Sequence, residues 1–149
     1  MGVVPPDRDE KRIVALGEAL ARSGVIVMIP WLQTQAENKI IESDINSLVK
    51  AFEYLTTMNR VDSSKVGMSG ICTGASMLAV AAQDPRISSN IKFLNFFAGY
   101  YDATDLVRAV SSRTSFQKDV FRLWEPDKLT ISVLNQHLIE GVTDVHDRS

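Results

Sequence analysis

The sequence has a single cysteine, Cys72, and two histidines among 149 residues. One cysteine excludes an intrachain disulfide and any zinc cluster built on several thiolates, so we expect a reducing, cytoplasmic setting and no metal site. The longest apolar run, Val25 to Leu32, is far shorter than the roughly 20 residues of a membrane-spanning helix. A membrane protein is therefore not predicted.

An excess of either charge is also lacking. The chain has 16 Lys and Arg against 18 Asp and Glu, with no basic run. Nucleic acids and anionic membranes require concentrated positive charge, so neither is expected as a partner. With 45% hydrophobic and 23% charged residues, the composition is that of an ordinary folded domain, which leaves small neutral or weakly charged ligands.

Helix and strand signals alternate along the first two thirds of the chain. A helix is predicted after Asp7, where Glu10 completes a capping box, and it ends at Ser23-Gly24. The apolar run Val25 to Ile29 is typical of a strand that is buried on both faces. This alternation indicates βαβ units built around a parallel sheet.

The same alternation continues as far as Phe97. We predict helices over about Ser43 to Met58 and Thr73 to Gln83, and strands over Lys65 to Ser69 and Ile91 to Phe97. The predicted fold class is α/β, with three αβα layers around a mainly parallel sheet. Right-handed crossovers bring the carboxyl ends of such strands to one edge, where open α/β sheets bind ligands.

The alternation stops at Ala103. Only two short helices, near Asp105 to Val110 and Leu129 to Glu140, are predicted beyond it, with no further strand. The expected organisation is a partial α/β core over residues 1–102, followed by a cap-like helical segment or a loose tail over residues 103–149.

One motif indicates chemistry: Gly70, Cys72 and Gly74 form G-x-C-x-G between the third predicted helix and the strand before it. A nucleophile on a sharp strand-to-helix turn needs small neighbours, so that strand and helix can approach closely. The start of the helix favours the thiolate, and the Thr73 amide can donate to an oxyanion. Alternatively, Cys72 is only a small buried hydrophobe, as unpaired cysteines usually are.

The Gly70 to Gly74 motif, with the order of elements around it, resembles the α/β-hydrolase superfamily and, through its cysteine, the dienelactone hydrolase family, over about Gly2 to Asp102. The resemblance implies that Cys72 attacks a carboxylic ester, lactone or thioester and forms an acyl-enzyme, without a cofactor. It also implies two oxyanion donors, the Thr73 amide and the loop around Val3 and Val4.

The aromatic residues past the predicted strands, Trp31, Tyr100 and Tyr101, suggest an apolar or aromatic acyl group, although each is more often a packing residue. In the superfamily the acid and the histidine of the triad follow later strands, which the sequence does not show. Asp102 is a candidate acid, but turn or cap formation also explains an aspartate there.

Asp105 likewise fits either the acid of a triad or a turn or cap residue, and the two histidines, His137 and His146, have the pattern of solvated side chains. We therefore expect the central segment of a larger hydrolase, incomplete at both ends. With so few strands, both sheet edges are open and apolar surface is left uncovered, which predicts self-association.

Three other functions fit parts of the sequence. Class I glutamine amidotransferases share the G-x-C-x-G turn but need a downstream His-Pro-Glu, which is absent. A dinucleotide-binding loop would need a glycine at Ser76 and an acid after Phe97. A hydrolase-like remnant that serves as a non-catalytic interaction module would need no triad at all.

Overall fold

A computed structural model of the chain describes residues 9–37, 39–117 and 120–142. Within these residues the chain forms two compact units, one ending at Gly99 and the other beginning at Tyr100. The fold is mixed α/β, and it contains one parallel and one antiparallel strand pair. No helix in the described part is both long enough and apolar enough to cross a membrane.

The described residues of the first unit form four helices, one 3₁₀ turn and two strands. In chain order these are α1 (Lys11–Arg22), α2 (Gln33–Ala36), α3 (Ser43–Thr57), the 3₁₀ turn (Ser63–Lys65), β1 (Met68–Ile71), α4 (Thr73–Ala81) and β2 (Leu94–Phe97).

Helix α1 begins one turn later than the capping box predicts. Glu10 itself is the N-cap, and its carboxylate accepts a hydrogen bond from the Ile13 N–H at 3.1 Å. Asp7 lies outside the described residues. The predicted end of the helix is confirmed, because Ser23 is the C-cap and Gly24 follows at φ 83°, where glycine is favoured.

The predicted strand Val25 to Ile29 is wrong. The segment has no regular secondary structure, no described strand pairs with it, and Val25, Ile26 and Ile29 are exposed. An apolar run becomes a buried parallel strand only where neighbouring strands accept its hydrogen bonds and helices cover its faces. Here it lines an open groove of about 510 Å³ together with small residues of α1, Gly17 and Ala21.

The predicted parallel pairing is confirmed for β1 and β2, in a register that runs from Met68 opposite Leu94 to Ile71 opposite Phe97. Helix α4 packs on both strands, and α3 packs on α4. The first-unit core lies between these elements and the turn that follows α4. Its buried members are Val49, Phe52, Val66, Met68, Leu78, Ala81 and Ile87.

The second unit contains a β-hairpin that the sequence analysis did not predict. Strands β3 (Thr114–Gln117) and β4 (Val120–Leu123) pair antiparallel between helices α5 (Ala103–Ser112) and α6 (Lys128–Gly141). The two helices match the predicted ones with longer ends. Strands of four residues are too short to show a clear alternation of polar and apolar side chains, so periodicity did not reveal them.

The turn after α4 is held by a charged cluster whose effect on stability depends on pH. The Asp84 carboxylate accepts hydrogen bonds from the Arg86 N–H and guanidinium at 2.8–2.9 Å, and Arg86 Nη2 also donates to Asn46 Oδ1 at 2.9 Å. These bonds with Arg86 lower the pKa of Asp84 from 3.8 to about 2.

A carboxyl group whose pKa is lowered by folding stabilises the fold above its ordinary pKa and loses that contribution as pH falls toward its folded pKa. We therefore expect the melting temperature of the wild type to fall more steeply between about pH 4 and about pH 2 than that of Asp84→Asn. The pKa of Asp62 is also lowered to about 2, by Ser64 and Lys65. The variant Asp62→Asn should therefore reduce the steepness of the fall in the same way. Identical profiles for wild type and Asp84→Asn would contradict this expectation.

Candidate active site

Cys72 occupies a strained turn between β1 and α4. Its backbone has φ 58° and ψ −133°, and it is the N-cap residue of α4. A positive φ is uncommon for a residue with a Cβ and costs of order 1–3 kcal/mol, so the surrounding structure must impose it. Among the described non-glycine residues only Cys72, Ala98 and Arg113 have a positive φ.

Backbone hydrogen bonds hold Cys72 on both sides. Its N–H donates to the Phe97 carbonyl of β2 at 2.8 Å, and its carbonyl accepts from the Ala75 N–H at 2.9 Å. The first of these bonds continues the β1–β2 ladder, and the second closes the first turn of α4. The turn is therefore fixed to the sheet and to the helix at once, which explains how the positive φ is maintained.

Only one of the two motif glycines is needed for close approach. A Cβ on Gly70 would lie 2.6 Å from Ala75 Cα and 2.9 Å from Ala75 N, both backbone atoms of the first turn of α4. A Cβ on Gly74 would meet nothing within 4 Å. The prediction that glycine allows strand and helix to approach is thus correct for Gly70 and wrong for Gly74.

The Cys72 thiol lies at the start of α4 and is half-buried. Its Sγ is 4.0 Å from Thr73 Oγ1. The first backbone bond of α4 is donated by Ala75, so the N–H groups of Thr73 and Gly74 have no acceptor within the helix. Such first-turn donors are suited to stabilise an anion that forms beside the thiol.

A second strained residue ends the neighbouring strand. Ala98 directly follows β2 at φ 54°, just as Cys72 directly follows β1, and Ile71 and Phe97 are register partners. The two turns therefore leave the sheet side by side at the same edge. The sequence analysis missed Ala98, because no motif marks an alanine whose positive φ depends on the strand beside it.

Of the other predicted site residues that the structure describes, Thr73 follows Cys72 directly, Trp31 lies elsewhere in the first unit, and the rest belong to the second unit. Trp31 is exposed just before α2. Val3 and Val4, the expected loop of the second oxyanion donor, lie outside the described residues. Tyr100 and Tyr101 begin the second unit, where Tyr101 is fully exposed.

The candidate acid, Asp102, and the described histidine, His137, belong to the second unit. The Asp102 carboxylate accepts a hydrogen bond from the Thr104 N–H at 2.7 Å, which makes Asp102 the N-cap of α5. His137 lies in α6, where its Nδ1 is 2.8 Å from the Val133 carbonyl oxygen. His146 lies outside the described residues. No cluster of three or more metal-ligating side chains occurs in the part of the chain that the structure describes.

The chain is similar to one curated relative. It is 44% identical over 57 residues to the uncharacterized protein YcjY of Escherichia coli (strain K12), an alignment that covers 37% of this chain and 18% of that protein. The chain therefore spans well under two thirds of the relative's length. No family model and no solved structure matches the chain.

Proposed function

We propose that the chain is a segment of an α/β hydrolase of the dienelactone hydrolase type, in which Cys72 is the acyl-accepting nucleophile. The observation that carries the proposal is the backbone of Cys72, at φ 58° between β1 and α4. A cysteine that only fills space has no need of a strained conformation that glycine would adopt more readily. A nucleophile needs it, because the turn presents its side chain at the edge of the sheet.

The proposed substrate class is a carboxylic ester, lactone or thioester. The Cys72 thiolate attacks the carbonyl carbon, and the resulting oxyanion accepts hydrogen bonds from the Thr73 and Gly74 N–H groups. Collapse breaks the bond to the leaving oxygen or sulfur, which takes up a proton, and leaves an acyl thioester on Sγ. Water then cleaves the thioester, which releases the carboxylic acid and restores the thiol.

The second step needs a base to activate water. We propose that this base comes from outside the first unit, and we assign no residue to it. Asp102, in the second unit, is the proposed acid of the triad. An acyl-enzyme that forms without a positioned base should hydrolyse slowly. Trp31, Tyr100 and Tyr101 remain the proposed contacts of the acyl group, and the proposed setting is the cytoplasm.

The proposal predicts a burst without sustained turnover. With p-nitrophenyl acetate in excess, we expect release of about one equivalent of p-nitrophenol per chain, followed by a slow phase, because deacylation lacks a base. Stopped-flow absorbance measures the burst, and mass spectrometry of the intact chain should show one acetyl group.

Two variants control this experiment. Cys72→Ala should lose both the burst and the acetyl group, whereas Ser69→Ala, which removes an exposed hydroxyl on β1, should keep both. A wild-type chain that acquires no acetyl group would overturn the proposal and favour a non-catalytic interaction module. Sustained turnover that is lost in both Cys72→Ala and His137→Ala would instead identify His137 as the base.

A further inference from the structure

Strand β2 presents an unpaired apolar edge. Within the described residues β1 is its only strand neighbour. All four of its residues are exposed, as is Phe93 before it. The apolar side chains retain about half of their accessible surface, at 55% for Phe93, 43% for Leu94, 42% for Phe96 and 58% for Phe97. Strands of parallel sheets are normally covered on both faces, so this exposure is unusual.

The hydrogen bonds to β1 determine which backbone groups of β2 point outward. Met68 N–H donates to the Phe93 carbonyl at 3.0 Å, and Cys72 N–H donates to the Phe97 carbonyl at 2.8 Å. Alternate residues of a strand direct their backbone groups to opposite sides. The N–H and carbonyl groups of Leu94 and Phe96 therefore point away from β1, toward the open edge.

We propose that β2 pairs with β2 of a second copy of this chain, antiparallel and centred on Asn95. In this register Leu94 of each copy exchanges two backbone hydrogen bonds with Phe96 of the other, four bonds in all, which uses the outward groups. Asn95 faces its own copy across the two-fold axis, and Phe93 faces Phe97. The proposal does not depend on the function of Cys72.

Self-complementarity argues for a second copy as the occupant of this edge. In a two-fold dimer the same surface of both copies is in contact, so that surface must be complementary to itself. Here apolar side chains oppose apolar ones and an amide opposes an amide. No charge lies between Phe93 and Phe97, so no like charges meet across the axis.

The available area predicts a weak dimer. An aromatic side chain buries about 150–250 Å² when fully covered, so the three half-exposed phenylalanines offer about 300 Å² per copy, to which Leu94 adds a smaller area. Stable complexes bury about 800 Å² per partner, and weak, transient ones bury less. We therefore expect a dissociation constant in the micromolar range, rather than a permanent dimer.

Sedimentation equilibrium over a range of micromolar concentrations tests the pairing in the full chain. Asn95→Lys places two ammonium groups on the axis and should weaken dimerisation at least about tenfold. Asn90→Lys, the same change in an exposed turn, should leave it unchanged. An equimolar mixture of Asn95→Lys and Asn95→Asp should restore dimers, because opposite charges then face each other. Wild-type chain that is monomeric throughout, association that Asn95→Lys leaves intact, or failure of the mixture to dimerise would each overturn the proposal.

Cross-linking provides an independent readout of the register. The central pair of this arrangement is not hydrogen-bonded and places its Cα atoms about 4.5 Å apart, within the range of a disulfide. The double variant Cys72→Ala/Asn95→Cys should therefore form a covalent dimer on mild oxidation, whereas Cys72→Ala/Asn90→Cys should not. Equal cross-linking of the two variants would contradict the proposed pairing.

Discussion

Gly70→Ala is expected to lower the free energy of unfolding by about 3 kcal/mol, at the upper end of the range for overpacked positions. The added Cβ would lie 2.6 Å from Ala75 Cα and 2.9 Å from Ala75 N. Both are backbone atoms of α4, so no side chain can rotate away and the helix itself must move off β1. Because Ala75 is fully buried, that movement also opens the packing behind it. Urea unfolding followed by circular dichroism measures the change.

Gly74→Ala is the matched control. It makes the same substitution four residues further along, where a Cβ meets nothing within 4 Å. Alanine favours a helix over glycine by up to about 1 kcal/mol, so this variant should be as stable as the wild type or more stable. Equal destabilisation by the two substitutions would contradict the close approach of strand and helix at Gly70.

The two variants also test whether the p-nitrophenyl acetate burst depends on the packing of α4 against β1. If the positive φ of Cys72 is imposed by the packing of α4 against β1, Gly70→Ala should reduce the p-nitrophenyl acetate burst as well as stability. Gly74→Ala should keep the burst, because it leaves this contact intact. If Gly70→Ala loses both stability and the burst, the strained turn is needed for the reactivity of the proposed nucleophile.

Helices α3 and α4 could be predicted from sequence because their signals are local, and the parallel pairing of β1 with β2 follows from the strand–helix–strand order. The apolar stripe of α3 contains Val49 and Phe52, and both are buried in the core. Helix α4 is apolar nearly all round and contributes more buried residues than any other described helix. Burial on most sides follows directly from such a composition.

The failures concern strands whose state depends on a partner. The run Val25 to Ile29 has the composition of a buried strand, yet no described strand pairs with it. In the hairpin, each strand forms by pairing with the other, Phe116 with Phe121 and Thr114 with Leu123. A short segment cannot show by itself whether a partner is present.

The candidate site also has a part that could be predicted from sequence and a part that could not. The turn at Cys72 could be predicted because its strand, glycines and helix are contiguous in sequence. The acid and the base could not, because in a triad they come from separate elements and are recognised by geometry rather than sequence position. Asp102 illustrates this, since it caps α5 through the Thr104 N–H, a role that any helix-preceding aspartate can fill.

Cys72 is expected to react with an alkylating agent in the native chain. We expect iodoacetamide to modify Cys72 completely in non-denaturing buffer, because a residue that is only half-buried leaves its thiol accessible to the reagent. Sγ displaces iodide and forms one thioether per chain, which intact mass spectrometry detects. The half-buried position of Cys72 at the start of α4 is the structural reason for this reactivity.

The comparison with unfolded chain decides between a nucleophile and a packing residue. A buried structural thiol reacts only after denaturant exposes it, so labelling confined to unfolded chain would overturn the assignment of Cys72. Chain alkylated in the native state should then lose the p-nitrophenyl acetate burst completely, since the same Sγ is consumed. A native thiol that is alkylated but never acetylated would show that Cys72 is accessible without transition-state stabilisation from Thr73 and Gly74. A non-catalytic interaction module derived from a hydrolase would behave in this way. It would keep an accessible thiol, because the turn at Cys72 depends on packing at Gly70. It would not transfer acyl groups, because turnover depends on residues from other elements.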